Sequence, residues 1–255
     1  MSDQLTRRKL ITSGLAVAAG VSGLAVAWRF ADRYALIPPD YGGIFGVGET
    51  LTYASQRLLM SYHSLAREFD RSQISKVIPV NGPPPDNDAY QRLRAGDFRD
   101  WRLGVDGLVA RPSSFSLADL KRFPSRTQIT HQACEEGWSF IAEWTGVPLS
   151  YILNFVGVSS QAKYVVFFPF DQSWDSLDMP DAWHSQTFLA YGMSGPELPT
   201  PHGAPVRLRV ARQLGYKSVK YLSRITVADT VKNIGQCLGS VQLAAPRGAQ
   251  QLLDV

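Results

Sequence analysis

Glycine and proline set the strongest limit on what this chain can fold into. Its 255 residues include 21 glycines and 16 prolines. Glycine loosens the backbone and proline fixes it, and either tends to end regular structure. The run Asn81-Gly82-Pro83-Pro84-Pro85 interrupts any helix or strand that reaches it. This punctuation argues against a helical bundle and for short elements joined by many turns. Hydrophobic residues make up 45% and aromatics 11%. A sizeable core can therefore form, and a wholly disordered chain is ruled out. The length suits one large domain behind a leader.

Between the breaks, two periods recur. Leu51, Ala54, Leu58, Tyr62, Leu65 and Phe69 return every three or four positions, which predicts a helix over 50–69. From Trp101 the period becomes two: Trp101, Leu103 and Val105 alternate with Arg102, Gly104 and Asp106, as in a half-buried strand. Ser116 reads as the N-cap of a short helix stopped by Pro124. Pro148 opens another helix, with Gly157 as its C-cap. Strands are expected over 164–170, 206–210 and 219–227, the last two joined by the Gln213-Leu214-Gly215-Tyr216 turn. The fold class is α+β, mostly β with short helices.

The N-terminus reads as an address. Arg7-Arg8-Lys9 precedes 19 uncharged residues, Leu10 to Trp28. A basic head before a weakly apolar, Gly/Ala/Ser-rich run is an export pattern, and the paired arginines make it twin-arginine. Ala25-Val26-Ala27 offers a cleavage site. The alternative is an uncleaved anchor, since the run nearly spans a bilayer. The expected location is the periplasm, free or tethered to the inner membrane by the leader. The leader carries a net two of the chain's four formal positive charges, so the basic balance does not indicate nucleic acid as a partner. The division expected is 1–27 signal or anchor, 28–74 arm and helix, 75–230 principal domain, and 231–255 tail.

Two cysteines are too few for a disulfide framework. Cys134, in His131-Gln132-Ala133-Cys134-Glu135-Glu136-Gly137-Trp138, admits several readings: a disulfide with Cys237, a buried thiol, a nucleophile or a metal ligand. The carboxylates of Glu135 and Glu136 oppose a free thiolate, whereas a highly charged metal would hold it ionised. Zinc and iron–sulfur motifs are missing, as are nucleotide-binding glycine patterns and a papain-type cysteine context. A second cluster is basic. Pro201-His202-Gly203-Ala204-Pro205-Val206-Arg207 sets a loop ahead of a strand, and Lys217-Ser218-Val219-Lys220 follows a glycine turn. An arginine fork, lysine charges and backbone N–H groups near Ser218 suit a phosphate, although strand-edge cations of no special role read the same way.

Taken in order, Cys134-x-Glu136-x-Trp138, Trp144-Thr145-Gly146-Val147-Pro148-Leu149, Ala162-Lys163-Tyr164-Val165, His202 to Leu208 and Gly215 to Lys220 resemble the sulfite oxidase fold family of molybdopterin-dependent oxidoreductases. The similarity covers about 75–227. It is stronger to the bacterial periplasmic branch that contains the methionine sulfoxide reductase catalytic subunit. The resemblance implies a mixed sulfite-oxidase-type molybdopterin-binding fold and a molybdenum–molybdopterin cofactor loaded before export.

It also implies roles. Cys134 corresponds to the thiolate that binds the metal. Glu136 corresponds to a carboxylate near the metal that relays protons or steadies its ligands. Asn81, Asp171, His202, Arg207, Ser218, Val219 and Lys220 correspond to positions around the pterin and its phosphate. His202 stands where the sulfoxide reductase branch carries Asn. His184 is left between a core position and the cofactor's edge.

Sulfite oxidases ring their substrate with arginines, whereas Glu135 and Glu136 here would repel sulfite. The implied activity is two-electron oxygen-atom transfer, in the direction of reducing a small sulfoxide or N-oxide. Sulfite oxidation and a non-catalytic molybdopterin-binding electron-transfer protein are the alternatives. No haem motif occurs in the chain. Electrons are expected to pass through a separate haem-containing membrane subunit or a periplasmic cytochrome.

Overall fold

The computed structural model describes residues 25–31, 33, 36–38, 46–59, 63–171, 173–232 and 234. The chain divides into two compact units, Met1–Ser64 and Leu65–Val255. In the first, residues 25–31 are helical (α1) and α2 spans Gly46–Leu59. Most of the expected leader, residues 1–24, lies outside the described residues, as does most of the 231–255 tail, including Cys237. Among the described residues, no helix is long and apolar enough to cross a membrane.

The helix expected over 50–69 does not reach 69. Residues 64–67 are irregular, and Glu68 bridges Thr130 while Phe69 N–H donates to the Ile129 carbonyl at 2.9 Å. A neighbouring strand claims this backbone, and pairing with a sheet overrides a weak helical period.

The second unit is built on two sheets. Strands β1 (Arg102–Gly107), β2 (Ser113–Ser116), β5 (Tyr164–Pro169), β6 (Asp175–Asp178) and β9 (Leu222–Ala228) form one, in the order β2-β1-β9-β5-β6. Strands β3 (Arg126–Ala133), β4 (Ser139–Pro148), β7 (Thr187–Met193) and β8 (Arg207–Val210) form the other, in the order β3-β4-β7-β8. Among the described residues, only the β1–β9 pair is parallel. The short helices are α3 (Asp88–Ala95), α4 (Leu117–Arg122), α5 (Leu149–Val156) and α6 (Met179–Ala182). The α+β class expected from the sequence is therefore the one observed.

Local chemistry explains the helix ends. Ser116 caps α4 by accepting from the Asp119 N–H, and the Asp119 carboxylate accepts from the Ser116 N–H, a reciprocal box. Pro148 precedes α5, and Gly157 ends it at φ +71°, a conformation that glycine adopts without strain. Apolar side chains of both sheets, among them Leu103, Val147, Phe167, Leu189, Leu208 and Ile225, meet in one core with Trp101 and with Ile152 of α5. A second core of Phe140, Ala142, Trp144, Phe188, Ala190, Met193 and Leu198 covers the far face of β4 and β7. Every residue of β7 is consequently buried, the mark of a strand covered on both faces. Strands β8 and β9, although adjacent in sequence, belong to different sheets. The segment between them, including the Gly215–Lys217 3-10 turn, carries the chain from one sheet to the other.

Candidate functional site

Cys134 follows the last residue of β3 and opens the tight turn into β4. Its N–H donates to the Trp138 carbonyl at 2.9 Å, and the Gly137 N–H donates back to the Cys134 carbonyl at 3.1 Å. Gly137 sits at φ +90°, which allows the turn to close in so few residues. The Cys134 side chain is a free, buried thiol. Two groups approach its sulfur: Glu136 Oε2 at 3.8 Å and Asn81 Nδ2 at 4.0 Å. Glu136 also accepts from Trp138 Nε1 at 2.7 Å.

The basic cluster gathers on the adjoining crossover. Lys220 Nζ donates to the Asn81 carbonyl and, at 3.2 Å, to the Pro201 carbonyl, so one lysine stitches the Asn81 turn to the His202 loop. Gly203 takes φ +114°, and a Cβ there would lie 2.9 Å from Lys220 Cβ. Only glycine fits both the backbone angle and the close approach. Arg207, on β8, donates to the His202 carbonyl at 2.8 Å and the Ser218 carbonyl at 2.7 Å. Val219 accepts from the Leu208 N–H at 2.8 Å, which seats the crossover against β8. Asp171 lies close enough to act on the charge of Lys220, and its carboxylate accepts from Ser173.

Sequence reasoning singled out Cys134, Glu136, Asn81, His202, Arg207, Ser218, Val219, Lys220 and Asp171, and the fold brings them around one end of the two sheets. It does not do so for two other candidates. Lys217 is bound to Asp175, 2.6 Å away, and to the Ser176 carbonyl. His184 is buried with Nδ1 accepting from the Gln186 N–H at 3.1 Å, a partner within its own turn.

Arg209 was missed. It is fully buried, donates to Thr130 Oγ1 and the His131 carbonyl at the Cys134 end of β3, and approaches Ser218 Oγ at 3.4 Å. It thus ties the thiol's strand to the basic crossover. Both Arg207 and Arg209 lie over the Trp144 ring, at 5.1 and 5.4 Å. The signal was present: the spacing Arg207-x-Arg209 on a strand puts both on one face.

Burial weakens four basic groups here, and repulsion by neighbouring cations adds to it at His202, Arg209 and Lys220. Desolvation, then Arg207 and Lys220, pushes His202 down to about 4, so it is neutral near pH 7. Lys220 falls to about 8 through burial and Arg207, with Asp171 opposing. Burial lowers Arg207 to about 10, and burial with Arg207 lowers Arg209 to about 9. Each of these arginines has a buried Nε–H without a partner, and Gln132 Oε1, on the strand that leads to the thiol, is likewise unpaired. Unpaired buried polar groups and repelling cations suit an anionic, hydrogen-bonding ligand.

The donor set suits a molybdopterin group. No cluster of three His, Cys, Asp or Glu side chains that could cage a metal occurs among the described residues. A metal at Cys134 would have to arrive with most of its ligands, as one does on a pterin dithiolene. The thiol supplies the soft donor, and the basic crossover complements a phosphate.

Comparison with known proteins agrees with this reading. Relatives include a putative protein-methionine-sulfoxide reductase subunit of Azospira oryzae, 37% identical over 64% of this chain and 64% of the relative. Another is the catalytic subunit of a protein-methionine-sulfoxide reductase of Ralstonia nicotianae, 33% identical over 53% of this chain and 46% of the relative. The chain thus spans less than two thirds of either. Among solved structures, the sulfane dehydrogenase SoxCD from Paracoccus pantotrophus matches 52% of this chain and 39% of its own at a TM-score of 0.50 and 29% identity. The resemblance to sulfite-oxidase-type proteins read from the motifs therefore holds. The family model for the oxidoreductase molybdopterin binding domain matches residues 90–234, more than half the chain, and the chain belongs to that family.

Proposed function

We propose that this chain is the catalytic subunit of an exported molybdenum oxidoreductase that reduces a sulfoxide or N-oxide. The observation that carries the reading is the pairing of a buried thiol, Cys134, with the Glu136 carboxylate 3.8 Å away, beside a crossover where Arg207 and Lys220 are desolvated. When bound, the molybdenum–molybdopterin group supplies two-electron oxygen-atom chemistry. Cys134 would hold its metal. Arg207 and Lys220 would hold its phosphate, with backbone groups of Ser218 and Val219. Asn81, Asp171 and His202 would line the pterin's edge. Glu136 would relay protons or steady the metal's ligands near the sulfur.

Charge favours a neutral substrate. Glu135 and Glu136 are exposed at the thiol's turn, whereas Arg207 and Arg209 are buried and donate to protein oxygens. A sulfite dianion would meet carboxylates first. The names of the two relatives support a sulfoxide as the acceptor and the existence of a second subunit, which we take to be the electron donor. We assign electron donation to a haem-containing membrane subunit or a periplasmic cytochrome, and the paired arginines of the leader support a periplasmic location.

The test is direct. Protein purified from a host that makes the cofactor should carry stoichiometric molybdenum and oxidise reduced viologen with methionine sulfoxide, not with sulfate. Purification without molybdenum, or turnover with sulfite alone, overturns the reading.

A further inference from the structure

Trp138 joins the two halves of this site. Its Nε1 donates to Glu136 Oε2 at 2.7 Å, and the same oxygen faces Cys134 Sγ at 3.8 Å. Among the described residues, the indole N–H is the one strong hydrogen bond that Glu136 accepts. Glu136 is otherwise an exposed side chain on a turn, and such a side chain moves among several rotamers.

Trp138 itself is held. Its ring stacks on Phe140, with centroids 6.1 Å apart and planes 13° from parallel. Phe140 is buried and meets Trp144 at 6.3 Å, under the guanidiniums of Arg207 and Arg209. Positions 138, 140 and 144 share one face because strand residues alternate. An aromatic column thus runs from the buried arginine pair to the carboxylate at the thiol.

We infer that Trp138 is a positioning residue that fixes the Glu136 carboxylate beside the Cys134 sulfur. Freeing the carboxylate would leave Cys134 in place and loosen the group nearest its sulfur, and placement errors of this kind slow chemistry without removing it. The inference rests on the proposed reading of Cys134 as metal ligand and Glu136 as its neighbouring carboxylate.

The experiment uses the molybdenum-loaded protein. Trp138→Phe keeps the stacked ring and removes only the N–H. Molybdenum content and melting temperature should stay at parental values. The paramagnetic resonance spectrum of the one-electron-reduced metal should shift, as it reports the sulfur's surroundings. With methionine sulfoxide and reduced viologen, kcat should fall about tenfold while KM changes little.

In a Glu136→Ala background, Trp138→Phe should change neither spectrum nor kcat further, because its effect passes through Glu136. A parental spectrum and kcat in Trp138→Phe overturn the inference. So does an equal effect in both backgrounds, which is what a structural role alone produces. A parent without molybdenum or turnover overturns the underlying reading, and the inference with it; an active parent with an unaffected Trp138→Phe overturns the inference alone.

Discussion

At the scale of single residues, the site depends on atoms that cannot be exchanged for close relatives. Serine in place of Cys134 keeps the turn, because both turn hydrogen bonds come from backbone. It would offer a hard oxygen where the proposed metal is to be held by sulfur. Cys134→Ser should therefore retain the parent's melting temperature in cofactor-free form while losing bound metal and turnover. Molybdenum analysis of the purified variant checks this, and unchanged turnover would count against ligation by Cys134.

Gly203 is constrained differently. At φ +114°, with Lys220 2.9 Å from any added Cβ, alanine is strained by its backbone and by its neighbour. Gly203→Ala should cost about 1–3 kcal/mol in urea unfolding. It should also shift Lys220 away from the Asn81 carbonyl and weaken retention of the cofactor.

At the scale of elements, the sheet leading to the thiol contains a very close backbone approach. Gly146 lies at the irregularity between β4 and β7, and a Cβ there would come within 2.0 Å of the Leu189 carbonyl oxygen. Flexible side chains cannot relieve a clash with backbone, so the strands must separate. Gly146→Ala should cost about 3 kcal/mol or more, or prevent folding, and thermal unfolding of the variant measures it.

What the sequence disclosed about these elements follows the range of the forces involved. The caps of α4 and α5 were legible because Ser116, Pro148 and Gly157 act within a turn of where they sit. Strand β7 was not. With both faces buried it has no alternation to read, and only the second core explains it. Helix α3 buries a single residue, Tyr90, and is otherwise polar, so its apolar period is too weak to notice. Strands β8 and β9 read as neighbours because a turn joins them, and their separation into two sheets is a long-range fact. The site divides in the same way. Cys134 and Glu136 are visible as one motif, whereas Arg209 gains its place only when β8 lies near the end of β3.

At the scale of the molecule, the site sits where the chain changes sheets, and the fold concentrates desolvated cations there. That arrangement has a pH signature in the cofactor-free protein. His202 takes up its proton near pH 4 when folded and near 6.5 when unfolded. Between those values the unfolded chain binds more protons, so stability rises with pH and is lost as pH falls through the window. Lys220 behaves alike at higher pH. Folded, it releases its proton near 8, against 10.5 for the free side chain, so its contribution rises with pH from about 8 to 10.5.

Removing His202 separates this effect from the carboxylates that titrate across the same acid range. His202→Asn should flatten the fall in melting temperature between pH 6.5 and 4 relative to the parent, with little change at pH 7, where the parent histidine is already neutral. An identical acid limb in both proteins would show that His202 titrates normally. An anion that mimics the cofactor's phosphate should act in the opposite sense to acid. It binds only the folded crossover, so millimolar pyrophosphate should raise the cofactor-free melting temperature in proportion to the logarithm of its concentration above Kd. Lys220→Ala should abolish that rise, because it removes a cation that touches both the Asn81 and Pro201 loops. A rise of the same size in Lys220→Ala would locate the anion elsewhere on the molecule.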